Sequence, residues 1–254
     1  MKKLLAVLLL LPTLAFANLK TITLNDQNTI NFNEDFNAMS VAKKQLELFS
    51  LAATSQEKDL YIVMYTPGGS VSAGSLFIDT ARALGKNIHT ITIFSASMGY
   101  HTVQGLGKRY ILPSGVLMSH RAAVSGLSGQ FPGELNERIN LLMKSTEELD
   151  KIAASRVGLT LNNYKKLIHD ELWLTGLDAV KRGHADEVIS AKCDSSLNGS
   201  YYQTFNTFFG PVDVEFSKCP LIVGPIGFKG SNEAVMEVKK NILEDVKKKV
   251  EIRL

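Results

Sequence analysis

Two nearly continuous apolar runs, DLYIVMYTP (residues 59–67) and NIHTITIF (87–94), stand out in the first half of the chain. Runs of this length, rich in β-branched residues and closed by proline or small residues, predict strands buried on both faces. Between them SVSAGSLFIDTARAL has helical spacing, with Gly85 placed to end it. Upstream, KTITLN and NTINFN predict two short strands. A helix over FNAMSVAKKQLELFSLAA follows them, capped by Asn33 or Asp35. RYILP and GVLMSH predict two further strands around Pro113–Gly115. A long helix is expected over 133–156, with Leu135, Leu142 and Leu149 on one stripe and Ile139 and Ile152 beside it. TLNNYKKLIHD predicts a shorter helix capped by Thr160. TGLDAVKRGHADEVI predicts another, opened by a Thr175–Asp178 capping box and stopped at Gly183. Strands alternating with helices point to an α/β layered fold with largely parallel strands.

Both ends of the chain change this picture. MKKLLAVLLLLPTLAFA pairs two lysines with an apolar run and a small-x-small site, so residues 1–17 are expected to be a secretory leader cut near Ala17. The run is short for a membrane span. Beyond residue 190 the texture becomes aromatic (YYQTFNTFFGPVDVEF) and then strongly charged and helical (SNEAVMEVKKNILEDVKKKVEIRL). Residues 18–190 are therefore expected to form the core domain and 191–254 an appendage. Cys193 and Cys219 flank its aromatic part, and in an exported chain they are expected to pair, closing a loop of about 25 residues.

Composition excludes more than it selects. With 28 Lys+Arg against 25 Asp+Glu, and both leader lysines lost on cleavage, the mature chain is close to neutral. No basic block with interleaved aromatics suggests nucleic acid. The cysteines and scattered histidines lack metal-ligand spacing, so no metal and no cofactor is expected.

The candidate chemistry lies at strand ends. In TITIFSASMGYH (90–101) a buried strand stops at two hydroxyls and a glycine. Ser97 would open a helix at the carboxyl edge of the sheet, where α/β folds place their sites. Unpaired helix-start N–H groups would lie beside it. An N-cap role for Ser97 or Ser95 fits this segment equally well. Gly68-Gly69 in YTPGGSVSAG can likewise be a plain turn, or can free two N–H groups for an oxyanion. A serine nucleophile needs a base. Of the five histidines, His120 ends a strand. His101 would point along its helix, His89 is at the wrong strand end, and His169 and His184 read as surface or helix-end residues.

YTPGGSVSAG, SASMG, GKRYILPSGVLMSH, SGQ and WLTGLDAVKRGHADEVI follow the order and approximate spacing of the ClpP-type serine peptidases. Over residues 20–190 the chain resembles that family, which belongs to the wider crotonase-like fold of repeated β-β-α units. The resemblance implies a Ser-His-acid triad: Ser97 as nucleophile, His120 as general base, and Gly69 and Met98 as oxyanion donors. The family's acid precedes the aromatic-apolar-Ser/Thr triplet, here WLT, by two residues. Glu171 stands there in place of aspartate, with Asp170 adjacent. The resemblance also implies a homo-oligomer acting on peptide or unfolded protein. Export would separate the chain from ATP, so an ATP-driven unfoldase partner is not expected. Two other readings fit the same residues. A peptidase of the signal-peptide-peptidase type would pair the serine with Lys144 or Lys151. A catalytically inactive crotonase-like module would serve in assembly or binding.

Overall fold

The computed structural model describes residues 19–124 and 128–250, with side chains of the last helix described to residue 244. The expected leader, residues 1–17, lies outside the described residues. The elements in chain order are β1 Thr21–Leu24, β2 Thr29–Phe32, α1 Ala38–Thr54, β3 Asp59–Thr66, α2 Val71–Arg82, β4 Asn87–Ala96, α3 Met98–Gly105 and β5 Arg109–Ser119. There follow α4 Gly133–Arg156, α5 Leu161–Leu167, β6 Leu172–Thr175, α6 Gly176–Lys181, β7 Glu187–Val188 and β8 Ser190–Cys193. The appendage adds β9 Ser200–Thr207, β10 Gly210–Ser217, β11 Pro225–Lys229 and α7 Asn232–Val250.

The main sheet runs β2-β3-β4-β5-β6, with β7 pairing the start of β5. β2 to β5 are mutually parallel and β6 is antiparallel. The two apolar runs fill the sheet interior because both faces are covered. Leu60, Ile62 and Met64 of β3 face the helices, packing with Phe77, Ile78 and Val103. Val63 and Ile91 face the other way, against Ile22, Leu24 and Ile189. That second face is roofed by the parallel pair β1–β8, which joins the first described strand to the last strand before the appendage. The α/β layered class expected from the alternation is present.

Four local expectations change. α1 is capped not by Asn33 or Asp35 but by Asn37, which accepts from the Met39 and Ser40 N–H while Ser40 answers it in a capping box. RYILP and GVLMSH form one strand, β5. The break expected at Pro113–Gly115 survives as a register shift, with Thr92 opposite Ile111 and Phe94 opposite Val116. Thr175 caps α6 by position but makes no side-chain cap bond. The apolar stripe of α4 reaches the core only near its end, through Leu149, Ala153 and Ala154, and Ile139, Leu141 and Met143 stay exposed.

The appendage is a three-stranded antiparallel sheet, β11-β10-β9, with α7 on one face. Its small core is Val212, Val214, Ala234 and Val238. Cys193 and Cys219 are disulfide-bonded with Cα atoms 5.9 Å apart, as expected. The bridge packs with Leu221 against the sheet face that β1 and β8 cover, so it anchors the appendage to the core.

Candidate active site

β3, β4 and β5 are parallel, so their carboxyl ends meet at one edge of the sheet. The exit of β3 is clamped by its neighbours. Thr66 Oγ1 donates to the Glu34 carbonyl (2.7 Å) and accepts from Gly68 N–H (3.1 Å). Phe36 bridges the glycine pair, donating its N–H to Gly68 O and accepting from Ser70 N–H, both at 2.7 Å. Gly68 and Gly69 have φ of 101° and 138°, conformations that a side chain disfavours. Space forbids one too: a Cβ on Gly68 would lie 2.6 Å from Ala96 O and 2.7 Å from Ser97 Cβ, and one on Gly69 would meet Phe36 O.

β4 exits into Ser97. Its N–H donates to Met118 O of β5 at 2.9 Å, pinning the turn to the adjacent strand. Ser97 has φ 54° and ψ −116° and is the one non-glycine residue with positive φ among the described residues. Such a conformation costs on the order of 1–3 kcal/mol and persists only where the surroundings enforce it. It is the sharp strand-to-helix turn that lifts a side chain clear of a sheet. Ser97 holds the N-cap position of α3 but makes no side-chain cap bond, so capping does not account for its hydroxyl. Ser95 Oγ is buried, with no hydrogen-bond partner among the described residues.

The last residue of β5 is Ser119, and His120 follows at the same edge. His120 Nε2 lies 2.8 Å from Ser97 Oγ. Met98 begins α3, so its N–H has no partner one turn earlier. Among the described residues neither Met98 N–H nor Gly69 N–H is engaged in a hydrogen bond. The Met98 side chain is seated against Gly74 of α2, where a Cβ would collide with it. Ser97, His120, Gly69 and Met98, all singled out in the sequence, thus gather at one corner.

The carboxylates do not join them. Glu171 Oε2 accepts from Trp173 Nε1 at 3.0 Å, and Asp170 pairs with His169 Nδ1 at 3.1 Å on the surface. Among the described residues neither is bonded to His120. Lys151 is paired with Glu147 and Glu148 on the exposed side of α4, and Lys144 is exposed.

Three titratable groups to which the sequence assigned no role, His101, Asp150 and His184, lie behind the corner. His101, one turn after Ser97, stands 3.9 Å from Asp150 of α4. Burial, aided by nearby His120, holds His101 down to about 4, and burial raises Asp150 to about 6. His184, expected at the surface, is 1% exposed and bonds Tyr100 Oη through Nδ1 at 2.7 Å. Burial, with the Arg182 and Arg109 cations nearby, lowers it to about 4. The available signal was weak: Asp150 follows Leu149 at the one point where the apolar stripe of α4 enters the core.

The family model for Clp protease matches residues 17–192. That span takes in the main sheet, its helices and the Ser97 corner, and it ends within β8, one residue before the disulfide. Residues 193–254 lie outside that match, and the chain belongs to the Clp protease family.

Proposed function

We propose that this protein is an exported serine peptidase of the ClpP type that cleaves peptides or unfolded protein by acyl transfer without an ATP-driven unfoldase. The observation that carries the reading is the 2.8 Å approach of His120 Nε2 to Ser97 Oγ at a strained strand-to-helix turn. Nε2 accepts the hydroxyl proton as Ser97 Oγ attacks the scissile carbonyl. The Gly69 and Met98 N–H groups receive the oxyanion, a contribution worth about 3 kcal/mol per donor. His120 returns the proton to the departing amine. Water then repeats the sequence to release the acyl group. Glu171 fits as the acid once it leaves Trp173, and Asp170 is the alternative. Export is supported by the leader-like N-terminus and by the disulfide, which persists in oxidising compartments. Assembly into a homo-oligomer is supported by the exposed apolar residues Leu141 and Met143 on α4 and Met39 and Leu46 on α1.

Labelling of the mature, assembled protein by a fluorophosphonate tests the reading. Labelling is expected in the parent and in Lys151→Ala, and is expected to disappear in Ser97→Ala and His120→Ala. Retention in His120→Ala with loss in Lys151→Ala would replace the histidine by a lysine base. No labelling of the folded parent would favour the inactive binding module, a reading supported by the absence of a carboxylate bonded to His120 among the described residues.

A further inference from the structure

A cleft of about 1130 Å³ separates α1 and β2 of the core from β9 and α7 of the appendage. Each sheet contributes its last strand to it. β2 ends the main sheet and β9 ends the appendage sheet, and among the described residues neither strand has a partner on its outer side. Thr29, Ile30 and Asn31 of β2 line the cleft in succession, as do Phe205, Asn206 and Thr207 of β9. Successive side chains point to opposite faces, so consecutive lining residues mean that the edge of the strand borders the space. On β2 the direction of the main chain is fixed. Asn28 O faces β3, accepting from Tyr61 N–H at 2.7 Å, so the N–H and C=O groups of Thr29 and Asn31 face outwards. Open edges of this kind are templates for another strand. The charges beside them are already matched: Lys43 pairs with Glu34 at 3.1 Å, and buried Lys44 with Glu47 at 2.9 Å and Asn31 Oδ1 at 2.8 Å. Tyr201, stacked on Phe216, supplies an apolar wall.

The cleft leads towards Ser97. Tyr65 lines its core side, one residue before Thr66 at the exit of β3. Tyr65 pairs in register with Phe94, with ring centroids 6.1 Å apart, and Phe94 stands 6.5 Å from Trp173 of β6. This aromatic row crosses the carboxyl end of β3 and β4 on one face of the sheet. Val116, paired with Phe94, and Met118, paired with Trp173, share that face, and His120 is the next position of the same alternation.

We infer that the cleft is an exosite for an extended, unfolded segment of the substrate, which adds as a strand to the edge of β2, opposite β9, and runs along the Tyr65–Phe94–Trp173 row to Ser97. The inference deepens the reading of Ser97 and His120 as the acylating pair and rests on it for the destination of the chain. The occupant is extended because only a chain with free main-chain groups satisfies an open edge; those of a folded protein are already paired. Charges matched within the cleft select no ionic class of peptide, and the aromatic walls favour apolar side chains.

The test uses the mature, assembled protein carrying Ser97→Ala, so that bound chain is not cut. The probe is fluorescein-labelled α-lactalbumin, reduced and carboxymethylated to keep it unfolded, and binding is read by fluorescence anisotropy. Binding is expected for this form and not for the folded, disulfide-intact form. Adding Thr29→Pro removes one outward N–H at an edge position, where proline is tolerated, and should weaken binding roughly 3- to 10-fold. Tyr201→Ala removes the aromatic wall and should weaken it roughly 10-fold. It reads the same cleft from the appendage side should Thr29→Pro fold poorly. Affinity equal to that of Ser97→Ala alone in the folded variants, equal binding of the folded probe, or no binding at all would each overturn the inference. Fluorophosphonate labelling of the protein with Ser97 intact tells the two readings apart. A labelled serine together with unchanged binding in the variants overturns the exosite alone. An unlabelled serine overturns the reading of Ser97, and the destination of the chain with it.

Discussion

The Ser97 corner and the disulfide-linked appendage hold their shapes by different means. At the corner, backbone geometry is fixed from several sides at once. Phe36 clamps Gly68-Gly69, Met118 O holds Ser97 N–H, and no Cβ fits on either glycine. Among the described residues the appendage's own cluster has four buried apolar side chains, and it has a covalent tie. A large core can store strain at one residue because its surroundings outweigh the cost. A unit with so few buried contacts cannot, and a cross-link that limits its unfolded ensemble compensates.

The contrast is broken most directly at Gly68. Gly68→Val puts a branched side chain at φ 101° against Ala96 O and Ser97. A loss of at least about 4 kcal/mol is expected, by strain and overpacking together. Chemical denaturation should register it, and serine labelling should vanish. Near-parent stability would mean that the corner yields easily and that the strain at Ser97 is not enforced.

Acid should separate the two regions. His101 and His184 are held neutral to about 4 by burial, against an ordinary 6.5. Between those values the unfolded chain binds more protons, so each histidine's contribution falls as pH falls from 6.5 towards 4. Asp150, raised to about 6, acts oppositely: its penalty is absent at low pH and grows as pH rises from 3.8 to about 6. Two histidines against one aspartate leave a net loss of roughly 3–4 kcal/mol on acidification. Residues 191–254 contain no histidine. Hydrogen exchange at pH 5 should therefore rise in α3 and α6 before it rises in β9 and β10. The reverse order would show that these histidines do not govern acid stability.

Much of this was legible in the sequence, for identifiable reasons. The continuous apolar runs 59–67 and 87–94 mark strands buried on both faces, and the exits from those strands mark where chemistry can sit. The cysteine pair was readable because expected export and spacing agreed. The continuity of β5 through Pro113–Gly115 was not, because a proline and a glycine within a strand resemble a turn. Glu171 was legible by position, yet it bonds Trp173 two residues on, a side-chain choice that no linear pattern reveals. The Tyr164–Ser119 bond was invisible because its members are 45 residues apart in sequence and meet only when α5 and β5 pack.

The covalent tie gives the converse of the Gly68 test. Cys219→Ser, paired with Cys193→Ser to leave no free thiol, should cost about 3 kcal/mol by the loop-closure argument. The loss should be confined to one region: proteolysis within residues 200–217 is expected to quicken while the rate of Ser97 labelling holds. Slower labelling in the double serine variant would show that the appendage supports the corner and that the two regions are not independent.

The smallest expected effect lies where the regions come nearest in sequence logic, at the start of α1. Asn37 caps that helix one residue after Phe36, the residue that clamps the glycine pair. Asn37→Ala removes the acceptor for Met39 and Ser40 N–H and should cost about 1 kcal/mol. If the corner is over-determined, labelling should change by less than about twofold, because Thr66, Phe36 and Met118 still hold it. A larger fall in labelling than in stability would mean that the cap transmits through Phe36 to Gly69, so that one clamp and not several fixes the oxyanion donor.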